Sequence, residues 1–208
     1  METEDSGTRI QQTDWETWYQ DEEVEEMPWF LPGLDEDFDK ALSELNVPRG
    51  LRVLDLGSGP GTQAIELASR GYVVTGTDIS ETAVEKASKR ADREGQHVVF
   101  LQDDILKTRL NGKPFDLVFD RGCFHTLPPE QRRAYLRTVS GLLKAKGYLL
   151  LKCFSHLQPG DDGPYRFRPD EIRGLFKGDF DVIGIEDSMF SGKHEPPPKA
   201  VFSVLRKR

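Results

Sequence analysis

The stretch with the most chemical content is Val53-Leu54-Asp55-Leu56-Gly57-Ser58-Gly59-Pro60-Gly61-Thr62. An apolar run carries an acid two residues ahead of three alternating glycines, and a helix can begin after them. Glycines there let a backbone turn sharply and approach a ligand with no Cβ in the way. The spacing discriminates between ligands. A dinucleotide fingerprint needs its third glycine or alanine where this chain has Thr62; here the third glycine is Gly61. Asp55 would repel a pyrophosphate but can accept from an ammonium group. Asp78 closes the next apolar run, 17 residues past Gly61. A carboxylate there can accept both hydroxyls of a ribose, although Asp78 can also serve as a helix cap, since Ser80 and a helix follow. Asp103-Asp104-Ile105 ends a third run, where Asp104, with Asp103 as the alternative, can accept from an adenine amino group.

A second constellation is Asp120-Arg121-Gly122-Cys123-Phe124-His125. Cys123 and His125, with Cys153 and His156, fall near the ends of two neighbouring runs. Four such groups can make a tetrahedral zinc site, but the spacing departs from zinc signatures and no metal is expected. His125 reads better as a substrate-orienting group or general base. Arg121 can bind an acidic substrate or a carboxylate. Arg166 and Arg168 precede a late helix and are candidates for a substrate pocket, or for an ordinary solvated loop.

The elements that must position these residues alternate. A helix is expected over 35–46, with Phe38, Leu42 and Leu45 on one face. Short apolar strands follow at 51–56, 72–77, 97–101, 115–120 and 148–154. Their near-continuous hydrophobicity is that of parallel strands buried on both faces. Helices fit between them: one ending at Arg70, one from Ser80 to about 94, and one opened by Pro128-Pro129 that carries Tyr135, Leu136, Val139, Leu142 and Leu143 inward. A short helix over 169–177 leads to two closing strands, 180–186 and 200–205. The pattern predicts an α/β fold with helices on both faces of a parallel sheet and a hairpin-like ending.

The glycine loop, Asp78, the Asp103-Asp104 pair and Phe115-Asp116-Leu117-Val118-Phe119-Asp120 resemble the ordered motifs of class I S-adenosylmethionine (SAM)-dependent methyltransferases. Pro28-Trp29, the 120–125 stretch, Gly163-Pro164-Tyr165-Arg166 and Asp170-Glu171-Ile172 are similar to the small-molecule branch that includes thiopurine and tellurite-resistance methyltransferases. The resemblance spans residues 28–208. It implies a three-layer Rossmann-like sandwich whose seven-stranded, mostly parallel sheet has an antiparallel last strand. It also implies SAM as cofactor, S-adenosylhomocysteine (SAH) as product, and a small-molecule S, O or N nucleophile as acceptor. Cofactor contacts then fall on Trp29, Asp55, Gly57, Ser58, Gly59, Gly61, Asp78, Ile79, Asp103, Asp104, Ile105 and Asp120, with Trp29 closing over the methionyl end. The Asn/Asp-Pro-Pro-aromatic motif of DNA and glutamine methyltransferases is replaced here by Asp120-Arg121-Gly122-Cys123. A SAM-binding scaffold without transfer is the main alternative, and an NAD-dependent oxidoreductase a remote one.

Bulk properties set the remaining bounds. At 208 residues the chain suits one α/β domain rather than two. Residues 1–50 hold 15 acids against 3 bases, whereas the rest is mildly basic. Residues 1–13 are expected to be disordered, 14–34 to form an acidic, aromatic leader or lid, and 35–208 to form the methyltransferase domain. Trp15, Trp18, Tyr19, Trp29 and Phe30 rarely stay in water, so the leader should fold back onto the domain. No concentrated basic patch invites nucleic acid, and no run is long enough for a membrane span. Two cysteines make no disulfide framework. The expectation is a cytoplasmic enzyme, a monomer or weak homodimer.

Overall fold

The computed structural model describes residues 14–160 and 162–208. The disorder expected of 1–13 lies outside them. Helices are α1 (Trp15–Asp21), α2 (Glu36–Glu44), α3 (Thr62–Ser69), α4 (Glu81–Arg93), α5 (Pro129–Leu142) and α6 (Pro169–Phe176). Strands are β1 (Arg52–Leu56), β2 (Val73–Asp78), β3 (Val98–Gln102), β4 (Phe115–Arg121), β5 (Leu143–Ser155), β6 (Arg166–Phe167), β7 (Phe180–Met189) and β8 (Lys199–Lys207).

The sheet runs β3-β2-β1-β4-β5-β8-β7, with the two-residue β6 beside the end of β5. The pairs from β3 to β5 are parallel, and β8 lies antiparallel to both its neighbours. This is the Rossmann-like architecture expected, with β6 as a small addition.

Strand alternation divides the core between two faces. Leu54, Leu56, Val118, Leu149 and Leu151 point into one layer with Tyr135 and Val139 of α5 and Ile172 and Phe176 of α6. Val53, Leu117, Phe119 and Leu150 point into the other, against Phe38 and Leu42 of α2 and Ala64 and Leu67 of α3. β5 starts earlier than the sequence suggests. Leu143, expected in α5, pairs with Phe115, and the strand then bulges at Lys146, whose φ is +64°.

The leader packs on α4. Asp14 caps α1 by accepting from Thr17 N at 3.2 Å, and Lys86 of α4 donates to Tyr19 O at 2.6 Å. Glu16 accepts from Thr82 Oγ1 at 2.5 Å, Ser80 Oγ at 2.7 Å and Thr82 N at 3.2 Å. These hydroxyl and backbone partners hold its carboxyl down at about 2. Tyr19, Val24, Met27 and Phe30 are buried with Ala83 of α4. Burying apolar side chains of this size stabilises the docked leader by roughly 1.5–3 kcal/mol each.

Candidate active site

β1, β2 and β4 deliver their C-terminal ends to one edge of the sheet, where ligands bind in such folds. After Leu56 the chain turns through Gly57–Gly61, held by Ser58 N donating to Thr77 O at 2.8 Å. Asp78 braces this turn: Oδ2 accepts from Gly59 N at 2.9 Å and Oδ1 from Ser80 N at 3.0 Å. Both oxygens retain lone pairs for a ligand. Burial pushes the Asp78 carboxyl up, and the backbone donors act against that. Asp55 lies behind the turn, with Oδ2 buried and unpartnered among the described residues. Burial, then the charges of Asp120 and Asp78, push it up to about 7.

A cavity of about 880 Å³ opens in front of this edge. Gly57, Asp78, Ile79, Asp103, Asp104 and Ile105 line it, with Trp29 in its roof. Asp104 Oδ1 accepts from Leu106 N at 2.9 Å. Asp103 is committed to its own loop, accepting from Thr108 Oγ1 at 2.5 Å and Arg109 N at 2.8 Å. Asp55, Ser58, Gly59 and Gly61 stand behind the lining. Gly59 is screened by the leader: a Cβ there would meet the Tyr19 hydroxyl at 2.6 Å, and the residue's φ is +50°. Trp29 stacks edge-on against Trp15 and Trp18, with centroids 5.8 and 5.2 Å apart.

At the end of β4 the expected residues take different parts. Asp120 is fully buried and away from the cavity. Its Oδ1 accepts from Cys123 N at 2.7 Å, and its Oδ2 from Phe124 N at 3.0 Å and the Tyr135 hydroxyl at 2.6 Å. It holds the 121–124 turn, so its carboxylate anchors structure where the sequence reading put a cofactor contact. Burial pushes it up to about 6 despite these donors.

Arg121 lines the cavity with its nitrogens already engaged. Nε donates to Asp35 Oδ2 at 2.8 Å, Nη1 to Trp29 O at 3.1 Å, and Nη2 to Ser191 O. It therefore organises the wall rather than presenting a free cation to a substrate. His125 also lines the cavity, and its Nδ1 accepts from Phe154 N at 3.1 Å. Burial, reinforced by Arg121, pushes it down to about 3, so the ring is neutral. With that lone pair engaged by a backbone N–H, the ring in this arrangement presents a donor rather than the base expected of it.

Arg166 and Arg168 do not line the cavity. Arg166 Nε donates to Gln158 O at 3.0 Å and Nη2 to Asp162 O at 3.0 Å, closing its own loop. Arg168 is an exposed residue at the start of α6, 4.0 Å from Asp170. Among the described residues no cluster of three or more His, Cys, Asp or Glu side chains is arranged to hold a metal ion.

Two features of the site were missed from sequence. One is an aromatic wall: His125, Phe154 and Phe190 are mutual neighbours with centroids 5.0–5.5 Å apart. The other is a buried ionic cluster beneath it. Lys152 Nζ lies 2.7 Å from Asp35 Oδ1 and 2.7 Å from Asp37 Oδ2, while Arg121 takes the other oxygen of Asp35. Burial pushes the Asp35 carboxyl up, but Lys152 and Arg121 more than offset it, leaving it lowered. The signal for Lys152 was a lysine inside an apolar strand, on the same face as Leu150. For Phe190 no spacing pointed to the site.

Residues 53–147 match a family model described as a methyltransferase domain. An uncharacterized methyltransferase of Schizosaccharomyces pombe is 37% identical over 103 residues, covering 50% of this chain and 71% of that protein. Thiocyanate methyltransferase 1 of Brassica oleracea is 30% identical over 149 residues, covering 70% of this chain and 65% of that one. Among solved structures, the 1,6-didemethyltoxoflavin-N1-methyltransferase of Burkholderia thailandensis superposes with a TM-score of 0.70. It is 21% identical, with 100% of this chain and 91% of that chain covered, and carries its substrate and SAH.

Proposed function

This chain belongs to the SAM-dependent methyltransferases, and from that premise we propose that it methylates a small-molecule S, O or N nucleophile bound against the His125–Phe154–Phe190 wall. The observation that carries the reading is one cavity of about 880 Å³ that joins the Gly57–Asp78–Asp104 edge to that wall. Its volume falls within the roughly 300–1,000 Å³ of small-ligand sites. A substrate identified as a small molecule in the Burkholderia and Brassica relatives is consistent with it.

The residues present fit the cofactor. Asp78 has spare lone pairs for two ribose hydroxyls, Asp104 offers the cavity an acceptor for a base amino group, and Gly57 brings bare backbone to the cavity. Asp55, with its unpartnered oxygen, supplies negative potential for a cationic amine from behind the turn. SAM supplies a methyl group activated by a sulfonium charge. The protein's part is to position and to exclude water. Trp15, Trp18 and Trp29 roof the cavity, and the aromatic wall presents the acceptor.

We place the enzyme in the cytoplasm, as a monomer or weak homodimer acting without nucleic acid or membrane. Two unpaired cysteines suit a reducing compartment, and among the described residues no helix is long and apolar enough to cross a membrane.

Calorimetric titration with SAM, SAH and NADH in parallel tests the reading. Binding of both adenosyl ligands without NADH is expected, followed by turnover in a panel of thiols, phenols and hydroxyquinolines. Binding with no turnover across the panel would instead favour a scaffold. Failure of both adenosyl ligands to bind would remove the assignment of this cavity.

A further inference from the structure

We infer that His125 meets the acceptor directly as a hydrogen-bond donor, and that the site accordingly selects nucleophiles that arrive already as anions. The inference rests on the methyltransferase reading and deepens it. The tautomer is set by geometry: Nδ1 accepts from Phe154 N at 3.1 Å, so the ring proton sits on Nε2. Nε2 has no hydrogen-bond partner among the described residues, although the ring lines the cavity. Gly122 keeps its approach open. A Cβ at that position would come within 3.0 Å of Nε2, and the residue's φ of +103° disfavours any side chain there. Phe154 edge-on at 5.0 Å and Phe190 tilted at 5.5 Å fix the plane of the ring. The donor is therefore aimed before any ligand binds.

The surrounding groups do not restore a base to this histidine. Arg121 of β4 and Lys152 of β5 are cations committed to Asp35. Cys123 is held in its thiol form by burial. Glu130 and His194 line the cavity from the start of α5 and the β7–β8 connection, and neither hydrogen-bonds to the ring. Burial, with Arg121 beside it, keeps His125 neutral through the working pH range. A donor N–H cannot take a proton from the acceptor. The acceptor's proton is therefore lost to water before binding. Its lone pair forms the new bond to the methyl carbon, the carbon–sulfur pair remains on sulfur, and no proton leaves the site.

Three measurements test this. Nitrogen-15 NMR of histidine-labelled protein with SAH should show His125 neutral, with Nε2 protonated, from about pH 5 to 8. An imidazolium, or a proton on Nδ1, would overturn the inference even without turnover. With ring-substituted thiophenols and phenols whose pKa exceeds the assay pH, kcat/KM should fall as the acceptor pKa rises, because the ionised fraction drops about tenfold per unit while the greater nucleophilicity of the more basic anion offsets only part of that loss. The acid limb of the profile should move with the acceptor; a limb fixed at one pH for all acceptors would mean an enzymic base. Finally, His125→Phe should lower kcat/KM about 10–100-fold with SAH affinity retained. His125→Gln, which keeps an N–H donor, should recover most of that loss. Equal inactivity of the two variants, with normal SAH binding, would overturn the donor role. Loss of SAM and SAH binding by the wild-type protein is a different result, against the methyltransferase site itself.

Discussion

Replacing Lys152 by Met removes the cation from the middle of the buried cluster while keeping its length. Lys152 is 1% exposed, and both of its carboxylate partners lie at 2.7 Å. Removing one partner of a buried pair costs about 3–5 kcal/mol, because it strands a charge. Here Asp35 keeps Arg121 at 2.8 Å and Asp37 is partly open to water, so the expected loss lies at the low end, about 3 kcal/mol. For a chain of this size that lowers Tm by about 6–12 °C. Urea unfolding of the ligand-free protein measures it. The pH dependence gives a sharper check. In the wild type Asp35 titrates below its ordinary value, so its contribution is present at neutral pH and lost as pH falls through that lowered value. Without Lys152, burial prevails and the carboxyl rises. The deficit should then be greatest near pH 7 and shrink towards pH 4, and adding Asp35→Asn should recover part of it. A loss below about 1 kcal/mol, or a deficit that grows in acid, would refute the idea that this cluster works as a buried ionic unit.

Asp78→Ala should weaken SAM binding about 10–100-fold by calorimetry, since it removes charged acceptors and frees Gly59 N; unchanged affinity would put the cofactor elsewhere. Gly59→Ala should lower SAM affinity and increase proteolysis of the leader, because its Cβ meets the Tyr19 hydroxyl at 2.6 Å. Normal leader protection in that variant would show that Tyr19 does not sit there in solution. Asp55 has a raised folded-state value of about 7, so ligand-free stability should fall as pH rises from about 4 through about 7. Asp55→Asn should reduce that slope, on the order of 1 kcal/mol per pH unit, in urea unfolding. A slope identical to wild type would assign the titration to other groups, Asp120 among them.

Much of the scaffold is legible because parallel strands buried on both faces must be largely apolar, as Val53-Leu54 and Leu117–Phe119 are. The glycine turn and Asp78 declare themselves by spacing, and the structure joins them through one hydrogen bond, Gly59 N to Asp78 Oδ2. The docking surface of the leader was not legible. It is built on Ala83 and Lys86 of α4, a small residue and a surface-type residue that carry no distinctive signal. Asp35 reads only as the first residue of the expected 35–46 helix; it caps that helix, accepting from Asp37 N at 3.2 Å. Its second role depends on Lys152, 117 residues away, and no local pattern encodes such a pairing. The same limit applies to Arg166 and Asp120. Their types suit ligand binding, but nearby backbone groups claim them first.

Arg121 reaches three separate stretches of chain: the leader at Trp29, the entrance to α2 at Asp35, and the β7–β8 connection at Ser191. None of these can swing outward alone without leaving donors of a nearly buried guanidinium unsatisfied. Opening on that side should therefore require the three contacts to break together. Ile105–Lys107 and Leu127–Gln131 also contribute to the cavity lining, and among the described residues no hydrogen bond or ion pair joins those two stretches. Molecules entering and leaving should pass between those two stretches, while the tryptophan roof stays shut.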